Sequence, residues 1–148
     1  MLSVGIDIGG TKVAAGVVDE NGQIVRRIQC PTPSRSPEAV EDAIVESVRE
    51  LSYDLPICAV GIGAAGWIDT EQALVRFSPH LAWRNEPLRD RLSERITVPV
   101  LVDNDANAAA WAEFRFGAGK GSRVMVCLTL GTGIGGALVI NGRIDRKS

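Results

Sequence analysis

The sequence is poor in the residues that most often carry covalent or metal chemistry. Its 148 residues include three cysteines and one histidine. Cys30, Cys58 and Cys127 are far apart and form no CxxC pair, which argues against a disulfide framework or a zinc ribbon and favours a reduced setting. Because each lies in or beside an apolar stretch, we expect three small buried side chains. A Ser-His-Asp triad would have to use His80, and no nucleophile turn surrounds it.

Charge and hydropathy exclude further classes. No apolar run comes near the ~18 residues of a membrane helix, and no basic region precedes Leu2. The net charge of −2 is not that of a nucleic-acid binder. With 45% hydrophobic and 23% charged residues, the chain is too apolar to be disordered. We therefore expect a soluble, unprocessed cytoplasmic protein that binds neither nucleic acid nor membranes.

Glycine, in contrast, is present in excess. The chain has 16 glycines, where average usage of about 7% would give about ten. Thirteen of them lie in four clusters separated by apolar runs, at residues 5–10, 61–66, 117–121 and 131–136. Such clusters indicate tight turns at which the backbone approaches something closely.

Apolar periodicity predicts a mixed α/β order. Residues 2–8, 13–18 and 24–28 predict an antiparallel meander, since Asn21-Gly22 is a hairpin signal. Helices are predicted at 38–51, 87–95 and 104–116, further strands at 57–62, 99–102, 124–130 and 137–140, and an irregular segment or short hairpin at 67–75. The glycines at 117–121 end the last helix and predict a boundary between a first unit, residues 1–117, and a second, incomplete one, residues 118–148.

The two ends of the chain are similar to each other. Residues 7–18 align with residues 129–140 as strand, glycine turn and strand, and each segment is followed by Asn-Gly. Duplication would give two related lobes with one glycine loop each. Chance similarity of two glycine-rich hairpins is the alternative.

The glycine loops fit no common nucleotide motif. Residues 61–66 and 131–136 match GxGxxG, but neither leads into a helix, as a dinucleotide site requires. Gly5 and Gly10 have Walker A spacing, but Thr11-Lys12 is in the wrong order and a strand follows. A phosphate-binding loop between antiparallel strands remains, with a purely structural hairpin as the alternative. Asp7, just before the first loop, would suit a Mg²⁺ ion that bridges phosphates.

Asp105 is the candidate general base. It stands where the strand ending at Val102 meets a helix, whose N-terminus favours the ionised carboxylate, and ligands bind at strand ends in α/β domains. Phosphoryl transfer to an alcohol needs a group that accepts the hydroxyl proton. Asn104, which donates and accepts, suits a polyol. Asp103, Asn104 and Asp105 are alternatively no more than competing helix caps.

Four motifs together resemble the N-terminal half of a ROK-family sugar kinase: DIGGTK at 7–12, VGIGAAG at 60–66, NDANAAA at 104–110 and LGTGIGG at 130–136. Trp83-Arg84 and FGAG at 116–119 make the chain most similar to the actinobacterial glucokinase branch. The resemblance implies an α/β protein with the actin-like ATPase (ribonuclease H-like) fold, here the first lobe and the start of the second. It also implies ATP-dependent phosphorylation of a hexose, with glucose 6-phosphate the expected product and Mg²⁺ the cofactor.

The resemblance also assigns roles to residues. Asp105 corresponds to the base on the sugar hydroxyl, Asn104 to a sugar ligand and Gly66 to a loop that lines the sugar site. Asp7 is the expected metal residue. Nucleotide contacts are expected at Asp7, Gly9, Gly10, Thr11, Lys12, Thr129, Gly131, Thr132, Gly133, Gly135 and Gly136.

Some features of the family do not match. Its zinc-binding cluster, further sugar-binding Glu and His residues and adenine pocket lie later than residue 148, and residues 145–148 do not continue into the expected glycine-rich segment. We therefore expect the 148 residues alone to be inactive. We also expect the full-length protein to be a homo-oligomer. At the position of His80 the family often has Asn. His80 is therefore either a neighbour of the sugar site or an exposed loop residue.

Two alternative functions follow from the same resemblance. The first is a sugar-responsive transcription regulator of this family, which would need an N-terminal helix-turn-helix for which the residues before Asp7 leave no room. The second is a phosphate-binding fragment without catalysis.

Overall fold

The computed structural model describes residues 1–33, 36–131 and 133–146. Within these residues the chain forms three sheets and three helices. In order, the elements are β1 (Leu2–Ile8), β2 (Lys12–Val18), β3 (Ile24–Pro31), α1 (Pro37–Ser52), β4 (Ile57–Ala64), β5 (Trp67–Ile68), β6 (Val75–Phe77), β7 (Arg84–Glu86), α2 (Leu88–Ser93), β8 (Val100–Asn104), α3 (Asp105–Phe116), β9 (Val124–Leu130), β10 (Ile134–Ile140) and β11 (Arg143–Ile144).

The central sheet has five strands in the order β3-β2-β1-β4-β8. β1, β2 and β3 form the predicted antiparallel meander, and β4 and β8 extend the sheet in parallel with β1. The Asp19 carboxylate shapes the turn between β2 and β3, because it accepts the N–H groups of Asn21 and Gln23 at 2.9 and 2.8 Å. The parallel strands bring the ends of β4 and β8 to one edge of the sheet.

Helix α1 covers one face of this sheet. It begins at Pro37, a residue suited to the first helical position, and the Ser36 hydroxyl caps it by accepting the Ala39 N–H. Its apolar residues recur at helical spacing and meet alternate residues of the strands. The residues at the centre of the resulting core are hydrophobic: Val4, Ile6, Ile8, Val13, Val17, Val40, Ile44, Leu51, Val60, Val102, Trp83, Leu88 and Leu92 are each at most 4% exposed.

Glu41 of α1 is a charged group at the margin of this core. It is 4% exposed, its Oε1 lies 3.8 Å from Arg91 Nη1, and Arg91 Nε lies 3.0 Å from Glu86 Oε1. One arginine therefore faces two buried glutamates. Burial raises the pKa of Glu41 above its ordinary value of 4.5, and Glu86 raises it further, whereas Arg91 lowers it.

We predict that Glu41→Gln stabilises the fold at neutral pH, by relieving the cost of a buried carboxylate. A raised pKa means that the folded state holds the proton more tightly than the unfolded state, so the unmodified chain loses stability as pH rises through the folded-state pKa. Glutamine keeps the shape without the charge. The gain should therefore be present at neutral pH and vanish below the ordinary carboxyl pKa. Urea unfolding at neutral pH and at a pH below the ordinary carboxyl pKa measures this gain in stability. Glu46→Gln, at an exposed position on the same helix, is the control. Equal changes in the two variants would contradict the prediction.

The segment predicted at 67–75 as irregular or a short hairpin forms the hairpin, since β5 pairs antiparallel with β6. Strand β7, which the sequence did not predict, extends this hairpin to a three-stranded sheet, β5-β6-β7. Strands of two or three residues are too short to show a period of two, so periodicity could not reveal them. The turn between β5 and β6 is held by Asp69, whose carboxylate accepts the N–H groups of Ala73 and Leu74 at 2.9 and 3.0 Å.

The third sheet has the order β11-β10-β9 and packs with one face against α3. β10 begins at Ile134, three residues before the predicted start, because Gly135 and Gly136 continue the ladder opposite Thr129 and Leu128. The outer face of β9 and β10 is apolar and uncovered: Val126, Leu128, Leu130 and Ile134 are 68 to 82% exposed. The division into lobes at residue 117 stays a prediction.

The cysteine prediction is wrong for Cys58. Its side chain is exposed, and those of Cys30 and Cys127 are only half-buried, all three as free thiols. Cys58 lies on β4 where the pairing with β1 is irregular, so it does not share the buried face of Val60 and Ile62, and its Sγ lies 3.5 Å from the Ser3 Oγ. No helix within residues 1–33, 36–131 and 133–146 is long and apolar enough to cross a membrane.

Candidate active site

The junction between β8 and α3 carries the proposed base. Asn104 is the helix cap: its backbone is extended, and its Oδ1 accepts the N–H groups of Ala106 and Asn107 at 2.9 and 3.2 Å. Asp105 is the first helical residue, and its Oδ1 accepts the Ala106 N–H at 2.9 Å. Because Asn104 already fills the cap position, Asp105 is not required as a cap, and it lines the cleft described below.

Gly66 lies next to this junction. Its carbonyl accepts a hydrogen bond of 2.9 Å from Asn104 Nδ2. Its φ of 146° is disfavoured for side-chain-bearing residues, and a Cβ here would overlap the Phe77 carbonyl oxygen. The structure thus brings together the three predicted sugar-site residues, Gly66, Asn104 and Asp105.

The first glycine loop is the tight turn between β1 and β2. The Gly9 N–H donates to the Lys12 carbonyl at 3.0 Å. Thr32, which the sequence did not predict as a site residue, supports the loop from the position just after β3. Its hydroxyl donates to the Gly9 carbonyl at 2.8 Å and its N–H to the Thr11 carbonyl at 3.0 Å. Nothing in the local pattern around Thr32 marks it, because its partners lie about twenty residues earlier.

His80 lies beside this first loop. A Cβ built on Gly10 would be 2.8 Å from the His80 Cβ. The side chain is exposed. The structure therefore makes His80 a neighbour of the first glycine loop, and its role toward a sugar stays untested.

The second glycine loop connects β9 and β10. The Gly131 N–H donates to the Gly133 carbonyl at 2.9 Å. Gly135 packs against the first turn of α3, since a Cβ on it would be 3.0 Å from the Ala106 Cβ. The second hairpin therefore lies directly beside the start of α3. The predicted contact residue Thr132 falls outside the described residues.

Asp7 and Asp105 interact electrostatically across the first loop. Partial burial raises the pKa of Asp7 and the Asp105 carboxylate raises it further, whereas Lys12 lowers it. A divalent cation beside Asp7 would offset this repulsion. Mg²⁺ typically uses only one or two protein carboxylates and takes its other oxygen ligands from phosphates and water, so Asp7 fits that ion. Among the described residues, no group of three or more His, Cys, Asp or Glu side chains could hold a metal.

A cleft of about 1200 Å³ joins these parts. It lies against the sheet face opposite α1 and is lined by Asp7, Lys12, Asp105 and Thr129. The other predicted site residues that the structure describes do not line it: Gly9, Gly10, Thr11, Gly66, Asn104, Gly131, Gly133, Gly135 and Gly136. Pockets for one small molecule measure about 300–1000 Å³, so this cleft is larger than a typical single-ligand pocket.

A β-meander extended by parallel strands, with glycine hairpins beside a strand-to-helix carboxylate, is the arrangement of the actin-like ATPase fold. The predicted fold class is confirmed by structural neighbours that are ROK sugar kinases. The ROK family model matches residues 3–146, and the chain belongs to this family.

Three relatives illustrate the range of the family. The chain is 50% identical over 145 residues to a glucokinase of Streptomyces coelicolor, covering 98% of this chain and 45% of the relative. It superposes with a TM-score of 0.94 on a ROK family glucokinase from Streptomyces griseus in complex with glucose and AMPPNP, at 49% identity, covering 100% of this chain and 47% of that one. The xylose repressor of Bacillus subtilis is 33% identical over 149 residues, covering 97% of this chain and 38% of the repressor. The chain thus spans less than half the length of these relatives.

Proposed function

We propose that the protein is an ATP-dependent hexokinase that phosphorylates glucose on its 6-hydroxyl. The observation that carries the proposal is the close match, in sequence and backbone, to a glucokinase that holds glucose and an ATP analogue. The grouping of Gly66, Asn104 and Asp105 beside two glycine hairpins supports it independently.

Asp105 acts as the general base in this proposal. Its carboxylate accepts the proton of the sugar hydroxyl while that oxygen attacks the γ-phosphorus, and ADP leaves. Asn104 and Gly66 hold the sugar side of the junction, with the Gly66 carbonyl taking one of the two Asn104 amide hydrogens.

The glycine hairpins receive the phosphates. Their backbone N–H groups and the Lys12 ammonium group supply positive electrostatic potential where the transferred charge accumulates. Asp7 would hold Mg²⁺, which when bound neutralises phosphate charge and orients the γ-phosphoryl group. Lys12 also offsets the repulsion between Asp7 and Asp105.

A coupled assay that follows ADP release tests the proposal. We expect glucose-dependent turnover from the longest protein that the gene encodes, and none from the 148 residues alone. Turnover by the short chain would show that the expectation of inactivity is wrong. Glucose binding without turnover by the long protein would contradict a kinase and favour a regulator like the related repressor. Size-exclusion chromatography with light scattering on the same sample tests the predicted homo-oligomer.

A further inference from the structure

Asp103 is the centre of a hydrogen-bond network beside the proposed base. Its side chain is only 18% exposed. The carboxylate accepts two bonds of 2.7 Å from the Arg146 guanidinium, one of 3.0 Å from Gln72 Nε2 and one of 3.1 Å from Asn107 Nδ2. It also accepts the backbone N–H of Asn104 at 2.8 Å. One carboxylate therefore joins four segments of the chain.

Two of these partners come from distant parts of the sequence. Gln72 is in the turn between β5 and β6 and has a φ of 57°, a left-handed conformation that is unfavourable for a residue with a side chain. Such a conformation persists only where the surroundings hold it, and it is typical of functional sites. Arg146 follows β11, in the sheet that carries the second glycine loop, and it lines the same cleft as Asp103 and Asp105.

The ion pair of Asp103 and Arg146 fixes an orientation as well as a distance. A guanidinium and a carboxylate joined by two parallel bonds fix both position and angle, which a single-point contact does not. Asp103 transmits this constraint to the backbone N–H of Asn104 and to the first turn of α3 through Asn107. Asn104 and Asp105 are thereby held from the side of the second hairpin as well as from their own sheet.

We propose that Asp103 and Arg146 form a positioning pair for the sugar side of the active site. Neither has to touch the reacting atoms. Their role is to hold Asn104 and Asp105 in a fixed position relative to the sheet that carries the second glycine loop. This inference rests on the proposed function, because its readout is sugar phosphorylation.

A double-mutant cycle in the longest protein that the gene encodes tests the pair. We expect Asp103→Asn and Arg146→Gln each to lower kcat/KM for glucose by about 10- to 100-fold, with the KM for ATP little changed. The double variant should be no worse than the poorer single variant, because both remove the same interaction. Arg146→Lys, which keeps the charge without the paired geometry, should recover only part of the loss. Added methylguanidine should restore activity to Arg146→Ala.

The matched control is the Arg26–Asp54 pair. It is also bidentate, with contacts of 2.5 and 3.1 Å, but it is more exposed and joins β3 to the segment after α1. Arg26→Gln and Asp54→Asn should leave kcat and both KM values at those of the unmodified protein.

Each outcome decides the inference. Additive losses, unchanged kinetics, or lower stability to urea with normal kcat and KM would each overturn the positioning role. If the unmodified protein does not phosphorylate glucose, the proposed function fails first and takes the inference with it. If it is active while the cycle shows no coupling, only the inference fails.

Discussion

Asp105→Asn is expected to lower kcat for glucose by about a thousandfold, the middle to upper range for loss of a general base. Asparagine keeps the size of the side chain and can still accept the Ala106 N–H, but it cannot take the hydroxyl proton. Since Asn104, not Asp105, caps α3, the helix should begin at the same residue. We therefore expect the loss to fall on kcat, with the fold and the affinity for glucose largely retained.

Steady-state assays of kcat and KM, together with circular dichroism spectra of the same samples, measure this effect. Asp90→Asn is the control, because Asp90 lies in the first turn of α2, is 66% exposed and pairs only with its neighbour Arg89 among the described residues. That variant should behave as the unmodified protein. A kcat near normal in Asp105→Asn would remove Asp105 from the role of base and leave it a positional one.

The longer elements of the fold were predictable because they carry their own signals. The meander of β1 to β3 follows from three apolar runs and an Asn-Gly turn, and α1 from a capping serine, a proline and apolar residues at helical spacing. The hairpin of β5 and β6 was predicted only as one of two alternatives, and β7 was missed, because their positions depend on the Asp69 turn and the buried Trp83, which are tertiary features. The glycines at 135 and 136 predicted a turn but belong to a strand, since their place is set by the approach of α3.

The candidate site likewise has a part that the sequence predicted and a part that it did not. Asp105, Asn104 and Gly66 were predicted as one group by their motifs, and the structure joins Asn104, the neighbour of Asp105, to Gly66 by a hydrogen bond. The network around Asp103 was not predicted, because its partner Arg146 lies 43 residues away and no motif links the two residues. A carboxylate beside a helix start looks like a cap in the sequence. Only the tertiary structure shows that it accepts bonds from three side chains.

Gly66→Ala is expected to destabilise the protein by about 2–4 kcal/mol, the combined cost of a strained backbone and an overlap that cannot be relieved by a rotamer change. The added methyl group would overlap the Phe77 carbonyl oxygen and lie 3.1 Å from the Ser78 Cα, and both are backbone atoms. Since Trp67 pairs with Phe77 across β5 and β6, the chain can accommodate the methyl group only by moving this pairing. The Gly66 carbonyl would then leave Asn104.

Gly61→Ala separates this effect from the general cost of losing a glycine. Gly61 lies in β4 five residues earlier, its φ is outside the left-handed range, and no atom lies within 4 Å of the position its Cβ would take. Urea unfolding should therefore show a small change for Gly61→Ala, within about 1 kcal/mol of either sign, and a large loss for Gly66→Ala. Equal stability of the two variants would mean that the loop at Gly66 yields easily. In that case the bond between Gly66 and Asn104 would not hold the sugar side of the site, and Asp103 would be left as its main support.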